Sequence, residues 1–270
     1  SYPLFAFLGD LNDVRTDSYR LVYGKKWKID TQGISQILGD AKALVMVNPN
    51  NPTGSFVSPE ELEEVNALCS KRNMALICDE VFSDFVFDQD KKYLSLVNNR
   101  QALTFVLGGI SKALGLPQMK LSWIILNGPR DMVEAAAARL EVIADTYLSV
   151  NTPVQNALPV WFTCRKEIQA EIQARIRQNF KILKEYAGMA QGCALLEAEG
   201  GWYAVLSIPD IYSEEQWVLA FLNKDYVAVH PGYFFDFDRE AYVVISLLPP
   251  PGIFQEGIKR IFARIKSGKL

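Results

Sequence analysis

The sequence predicts an α/β fold, a large unit with a mostly parallel sheet followed by a smaller C-terminal α+β unit. Three observations carry this expectation. Short β-rich runs alternate with capped helical segments through the first half, a long amphipathic stretch follows, and the strands beyond it come with a different rhythm. The composition agrees: 270 residues, 49% hydrophobic and 22% charged, fill one or two globular cores.

Taken in order, residues 43–47, 75–78, 103–107 and 122–126 each read as a short buried strand. Between the first two, Ser58-Pro59-Glu60-Glu61 forms a capping box with proline at the first helical position. Leu62, Val65, Leu68 and Cys69 then recur at helical spacing. Another helix starts near Pro129 and carries Met132, Val133, Leu140 and Ile143. From Arg165 to Tyr186, Ile168, Ile172, Ile176, Phe180 and Leu183 fall at steps of three and four, with Gly188 and Gly192 as stop signals. Strands are expected at 202–208, 226–229 and 242–247. Ser213 and Gln216 cap a helix among them, and a last helix covers 254–265. The change of rhythm near Phe162 divides the chain into a large domain, 1–161, and a small one, 162–270.

Charge and residue scarcity exclude several function classes. Lys and Arg number 28 against 31 Asp and Glu, for a net charge of −3 with no basic tract, which is no nucleic-acid footprint. No apolar run approaches the ~18 residues of a membrane span. The first residues lack the basic start and cleavage site of a signal peptide. A single histidine, His230, excludes multi-histidine metal centres and reads as structural. Cys69, Cys78, Cys164 and Cys193 show no metal-ligand or redox spacing, and read as reduced thiols of a cytoplasmic protein.

Three segments carry chemistry. Asn48-Pro-Asn-Asn-Pro-Thr-Gly54 leaves the end of a predicted strand as a tight loop, at the sheet edge where α/β proteins bind ligands. Asp79 ends the next strand, where an acid either caps a loop or holds a cofactor's ring nitrogen protonated. Lys112 lies in a small, Gly-rich loop after Gly108-Gly109, where partial desolvation favours a neutral amine able to form a Schiff base. Ser111 and the neighbouring backbone offer donors to a phosphate.

In this order, Asn-Pro-x-Asn-Pro-Thr-Gly, Asp-Glu-Val (79–81) and Ser-Lys-x-x-Gly-x-Pro (111–117) resemble the fold-type I pyridoxal-phosphate enzymes, specifically class I/II aminotransferases. The resemblance implies a pyridoxal 5'-phosphate cofactor, a homodimer, and a small-molecule amine or amino acid as substrate. It implies catalytic roles for Lys112, the Schiff-base lysine, and Asp79, the partner of the pyridine nitrogen. Asn51 falls where the family donates to the pyridine 3-oxygen, Tyr2 where an aromatic stacks on the ring, and Ser111 and Lys120 where the phosphate is held.

The sequence also departs from the family. A segment that members carry ahead of this point, with a phosphate loop, is missing, and the first residue is not Met, so the chain reads as a fragment. Phe82 replaces a tyrosine that shares hydrogen bonding to the 3-oxygen. Lys120 replaces an arginine and Gly109 a Ser/Thr at the phosphate, and Val244 stands where an arginine grips the substrate carboxylate. Arg239 lies five residues earlier. The Val244 change points away from common α-amino acids, toward amines, amino alcohols or bulky apolar amino compounds. The motifs leave a C–S lyase or decarboxylase on the same scaffold open, as well as a ligand-sensing domain.

Overall fold

The computed structural model describes residues 3–237 and 241–270, so Tyr2 and Arg239 lie outside the described residues. The chain runs through α1 (Leu4–Leu11), β1 (Leu21–Tyr23), β2 (Trp27–Ile29), α2 (Thr31–Ile37), β3 (Ala43–Val47), α3 (Pro59–Arg72) and β4 (Ala75–Asp79). It continues with β5 (Thr104–Gly109), α4 (Ile110–Ala113), β6 (Ser122–Asn127), α5 (Arg130–Thr146), α6 (Thr152–Thr163) and α7 (Arg165–Met189). Beyond these come β7 (Ala194–Leu195), β8 (Tyr203–Ser207), α8 (Glu214–Asp225), β9 (His230–Pro231), β10 (Tyr242–Ser246) and α9 (Pro251–Ser267).

Local chemistry fixes the main helix starts. Ser58 Oγ accepts from Glu61 N at 3.2 Å while Glu61 Oε2 accepts from Ser58 N at 2.9 Å, the reciprocal box that opens α3. Ser213 and Gln216 open α8 in the same way. Asn151 Oδ1 accepts from Val154 N at 3.0 Å to cap α6.

Four strands form the first sheet in the order β3-β4-β5-β6. β3, β4 and β5 are parallel and β6 returns antiparallel. Its register aligns Val47, Asp79 and Leu107 at one edge, so the loops after β3, β4 and β5 all emerge together. Ile34, Met46, Val65, Leu76, Leu96 and Val106 centre the core beneath it. The second sheet is antiparallel throughout, β7-β8-β10-β9, and packs against α7, α8 and α9 around Ile176, Leu183, Trp217, Phe221 and Ile258. Phe82 and Phe85 leave β4 yet pack in this second core.

Two expectations are corrected. Residues 226–229 form no strand: Tyr226 takes a left-handed φ of 58° as the cap of α8, and Val227 N returns to Phe221 O at 3.0 Å, so the backbone leaves the helix by a turn. β6 is not buried. As the last strand of its sheet it leaves Ile124 48% exposed.

Candidate active site

The first motif places its own residues in two classes. Asn48 is structural: its Oδ1 accepts from Val57 N at 3.0 Å and its Nδ2 donates to Leu94 O at 2.8 Å. Asn50 is structural too, its Oδ1 accepting from Thr53 Oγ1 at 3.0 Å. Gly54 N closes the loop on Asn50 O at 2.8 Å. Asn51 is different. It is buried, and Oδ1 of its side-chain amide has no hydrogen-bond partner among the described residues. The loop starts beside the acid, since Asn48 N donates to Asp79 O at 2.8 Å.

Asp79 ends β4, and its Oδ1 accepts from Val81 N at 3.0 Å. Burial raises its carboxyl above the ordinary value, with that hydrogen bond and the nearby Lys112 charge pulling the other way. The next residue holds the loop in place. Glu80 is buried and accepts from Leu96 N at 2.7 Å and Ser95 Oγ at 2.6 Å.

Lys112 sits in α4, directly after β5. Burial lowers the pKa of its amine, and Asp79 opposes that shift. Its Nζ lies 5.2 Å from the centre of the Trp202 ring and 5.6 Å from that of Phe82. The two rings meet edge to face at 5.4 Å. α7 ties α4 to the loop after β4: Gln169 Nε2 donates to Ala113 O at 3.1 Å and to Asp84 Oδ2 at 2.7 Å, while Arg165 Nη2 donates to Asp84 Oδ1 at 2.5 Å.

The structure thus brings Asp79, Phe82 and Lys112 together, with Asn51 on the loop beside them. Ser111 is half-buried in α4. Lys120, exposed with a left-handed φ of 53°, ends the short turn that packs on α4. Gly108 leaves room for the Trp123 indole, which a Cβ would strike. Val244 is buried in an apolar cluster with Trp27, Val205, Phe235 and Tyr242, opposite Val205 in the register and beside His230. Trp202 was not singled out by the sequence, although Gly200-Gly201 ahead of it signals a close backbone approach.

An α/β sheet whose aligned strand ends present an acid, a partly desolvated lysine and an unpartnered amide oxygen has the layout of a cofactor site. The comparisons give the family. The sequence matches the aminotransferase class I and II family over residues 1–252, and the chain belongs to that family. It is 26% identical over 267 residues to the glutamate-pyruvate aminotransferase AlaA of Haemophilus influenzae, covering 96% of this chain and 66% of that protein. To the alanine aminotransferase of Mycobacterium tuberculosis it is 27% identical over 258 residues, covering 92% of this chain and 59% of that one. The chain therefore spans about two thirds, or less, of the length of these relatives. The fold is similar to that of an alanine aminotransferase from Pyrococcus furiosus, with a TM-score of 0.89 at 21% identity over 99% of this chain and 68% of that one. A PLP-bound putative aminotransferase from Clostridium difficile gives 0.82 at 19% identity, over 98% of this chain and 69% of that one.

Class I and II aminotransferases work with pyridoxal phosphate, and the residues here fit that group. Asp79 suits a ring nitrogen and Lys112 the aldehyde carbon, while Nδ2 of the Asn51 side chain, not its unpartnered Oδ1, is the atom suited to a ring oxygen. Among the described residues, neither Ser111 Oγ nor Lys120 Nζ is engaged by another side chain, which leaves both free for a phosphate.

Proposed function

We propose that this chain carries the active site of a pyridoxal-phosphate aminotransferase, which moves an amino group from an amino donor to a keto or aldehyde acceptor. The observation that carries the reading is the Lys112 amine, lowered in pKa by burial and facing the charge of Asp79 at the aligned strand ends. Bound there, the cofactor supplies the electron sink that makes the donor's C–H acidic. Asp79 keeps the ring nitrogen protonated. Asn51 Nδ2 would donate to the ring oxygen, and Ser111 and Lys120 would hold the phosphate. Lys112 would anchor the cofactor, and its amine is the base that would take up and return the proton at the reacting carbon. Phe82 gives one ring face and no hydroxyl, and Tyr2 is the proposed stacking partner.

Residues 1–161 are the proposed large, cofactor-binding domain and 162–270 the small one. Apolar side chains left exposed on α1 and after α5, Phe7, Leu11, Tyr147 and Leu148 among them, support a homodimer. Four free cysteines, with burial pushing Cys69 up to about 11, support a reducing, cytoplasmic setting. Among the described residues no helix is long and apolar enough to cross a membrane. The valine at position 244, where the family resemblance places an arginine, supports donors that need no guanidinium: amines, amino alcohols and bulky apolar amino compounds.

The test joins labelling to turnover. Pyridoxal phosphate should give a visible band that borohydride traps on Lys112, and a label on another lysine overturns the site. Amino transfer to pyruvate should proceed from ethanolamine and ethylamine in preference to alanine and glutamate. Preference for the two amino acids overturns the donor class while leaving the cofactor site standing.

A further inference from the structure

The aromatic wall beside Lys112 contains a donor with nothing to bind. Trp202 is 9% exposed, and its indole Nε1 is buried without a hydrogen-bond partner among the described residues. Folding seldom leaves such a group unpaired, because desolvating an N–H without an acceptor is unfavourable. A neighbouring tryptophan in the same core obeys the rule: Trp217 Nε1 donates to Pro209 O at 3.1 Å. Trp27 also has an unpartnered N–H, but its ring packs against Tyr23 and Phe237, at 5.0 and 5.4 Å, rather than against Lys112.

Trp202 is also held firmly. Gly201 N donates to Phe85 O at 2.8 Å ahead of it, and its own carbonyl accepts from Leu247 N at 2.8 Å. Phe82 and Phe85 both meet the indole edge to face, at 5.4 and 5.0 Å. The ring is fixed on both sides, and the Lys112 amine lies over it, 5.2 Å from its centre. The neighbouring wall residue, Phe82, has no polar atom to offer.

We propose that the Trp202 indole N–H is a positioning donor to an oxygen of the group held at Lys112, either the cofactor's ring oxygen or an oxygen of the amino donor. This rests on Lys112 being the cofactor's anchor. The N–H adds no charge and does not ionise at neutral pH, so it orients the acceptor and stabilises negative charge on it.

The test compares wild type with Trp202→Phe, which keeps an aromatic ring and removes the N–H. If the cofactor oxygen is the acceptor, the variant loses the donor that stabilised the oxyanion. The pH midpoint of its visible band then rises by about one unit, a tenfold change, with no substrate present. If the acceptor is on the amino donor, that midpoint stays fixed. Binding of ethanolamine or alanine then weakens about tenfold while that of ethylamine, which has no oxygen, is unchanged. Adding Phe82→Tyr to the variant restores a donor to the wall and should recover part of either loss. A measurement on unmutated protein guards against a variant that fails to fold: the Trp202 indole proton should move downfield in NMR spectra when the cofactor or ethanolamine is bound. Wild type that takes up cofactor on Lys112, with an unmoved indole proton and none of these losses in the variant, overturns the proposal alone. Wild type that takes up no cofactor overturns it together with the reading of the site.

Discussion

Asp79 shows what the site costs the empty protein. Burial raises its carboxyl pKa even with the attraction of Lys112 included, so the net effect of its environment opposes ionisation. A carboxyl raised in the folded state is harmless below its unfolded pKa of about 3.9 and becomes a burden as pH climbs through the folded value. Asp79→Asn should therefore melt at or above wild type at neutral pH without cofactor, the advantage fading as pH falls through the raised folded value and gone below about 4. Amino transfer should drop about a hundredfold or more, since the ring nitrogen loses its charged partner. Thermal melts from pH 3 to 8 beside an activity assay check both halves, and an active variant that melts lower refutes the assignment. The placing of Asp79 and Lys112 at strand ends was legible in the sequence from β-rich runs and glycines, whereas the role proposed for Asn51 came with the family resemblance. Trp202 was not legible. Its meeting with Lys112 depends on a second sheet folding back over the first, and no local spacing records that contact.

At the scale of elements, the loop after β3 is held by an approach too close for any side chain. Gly54 has φ +68°, its carbonyl accepts from Glu199 N at 2.9 Å and Gly200 N at 3.0 Å, and a Cβ there would strike the Gly200 carbonyl and come within 2.9 Å of Ala198 Cβ. Gly54→Ala combines a left-handed penalty of about 1–2 kcal/mol with a backbone clash that only movement of the loop relieves. The expected result is a loss of more than about 2 kcal/mol in urea unfolding together with weaker cofactor uptake, because Asn51 moves with the loop. Unfolding within about 0.5 kcal/mol of wild type would mean the loop adapts freely. Elements with a strong local signature were legible: β3 matches its predicted span, and both capping boxes open the helices they announced. The β1–β2 hairpin, α1, α2 and α6 were not, since they are short or lack clean apolar periodicity. The 226–229 run looked like a strand by its β-branched content, yet a left-handed cap outweighed propensity.

Across the whole molecule, the two sheets share a seam, although the sequence places a boundary at residue 162. The loop after β4 crosses it. Phe85 is fully buried in the core of the second sheet, its carbonyl accepts from Gly201 N, and Gln173 of α7 donates to the carbonyl of Val86 beside it. Asp84 one residue earlier takes Arg165 and Gln169 from the same helix. Such a seam couples the stability of one sheet to the other, so the proposed domains should unfold as a single unit. Phe85→Ala tests this by opening a cavity at the seam, which costs about 3–5 kcal/mol for a buried phenylalanine. If the coupling holds, hydrogen-exchange protection falls by a similar amount in β3–β5 and in β8–β10, and melting remains one transition. If the domains are energetically separate, protection falls in β8–β10 alone, β4 keeps its slow amides, and a second transition appears. In the coupled case the same substitution also lowers cofactor uptake, because Trp202 loses one of the two rings that hold it beside Lys112.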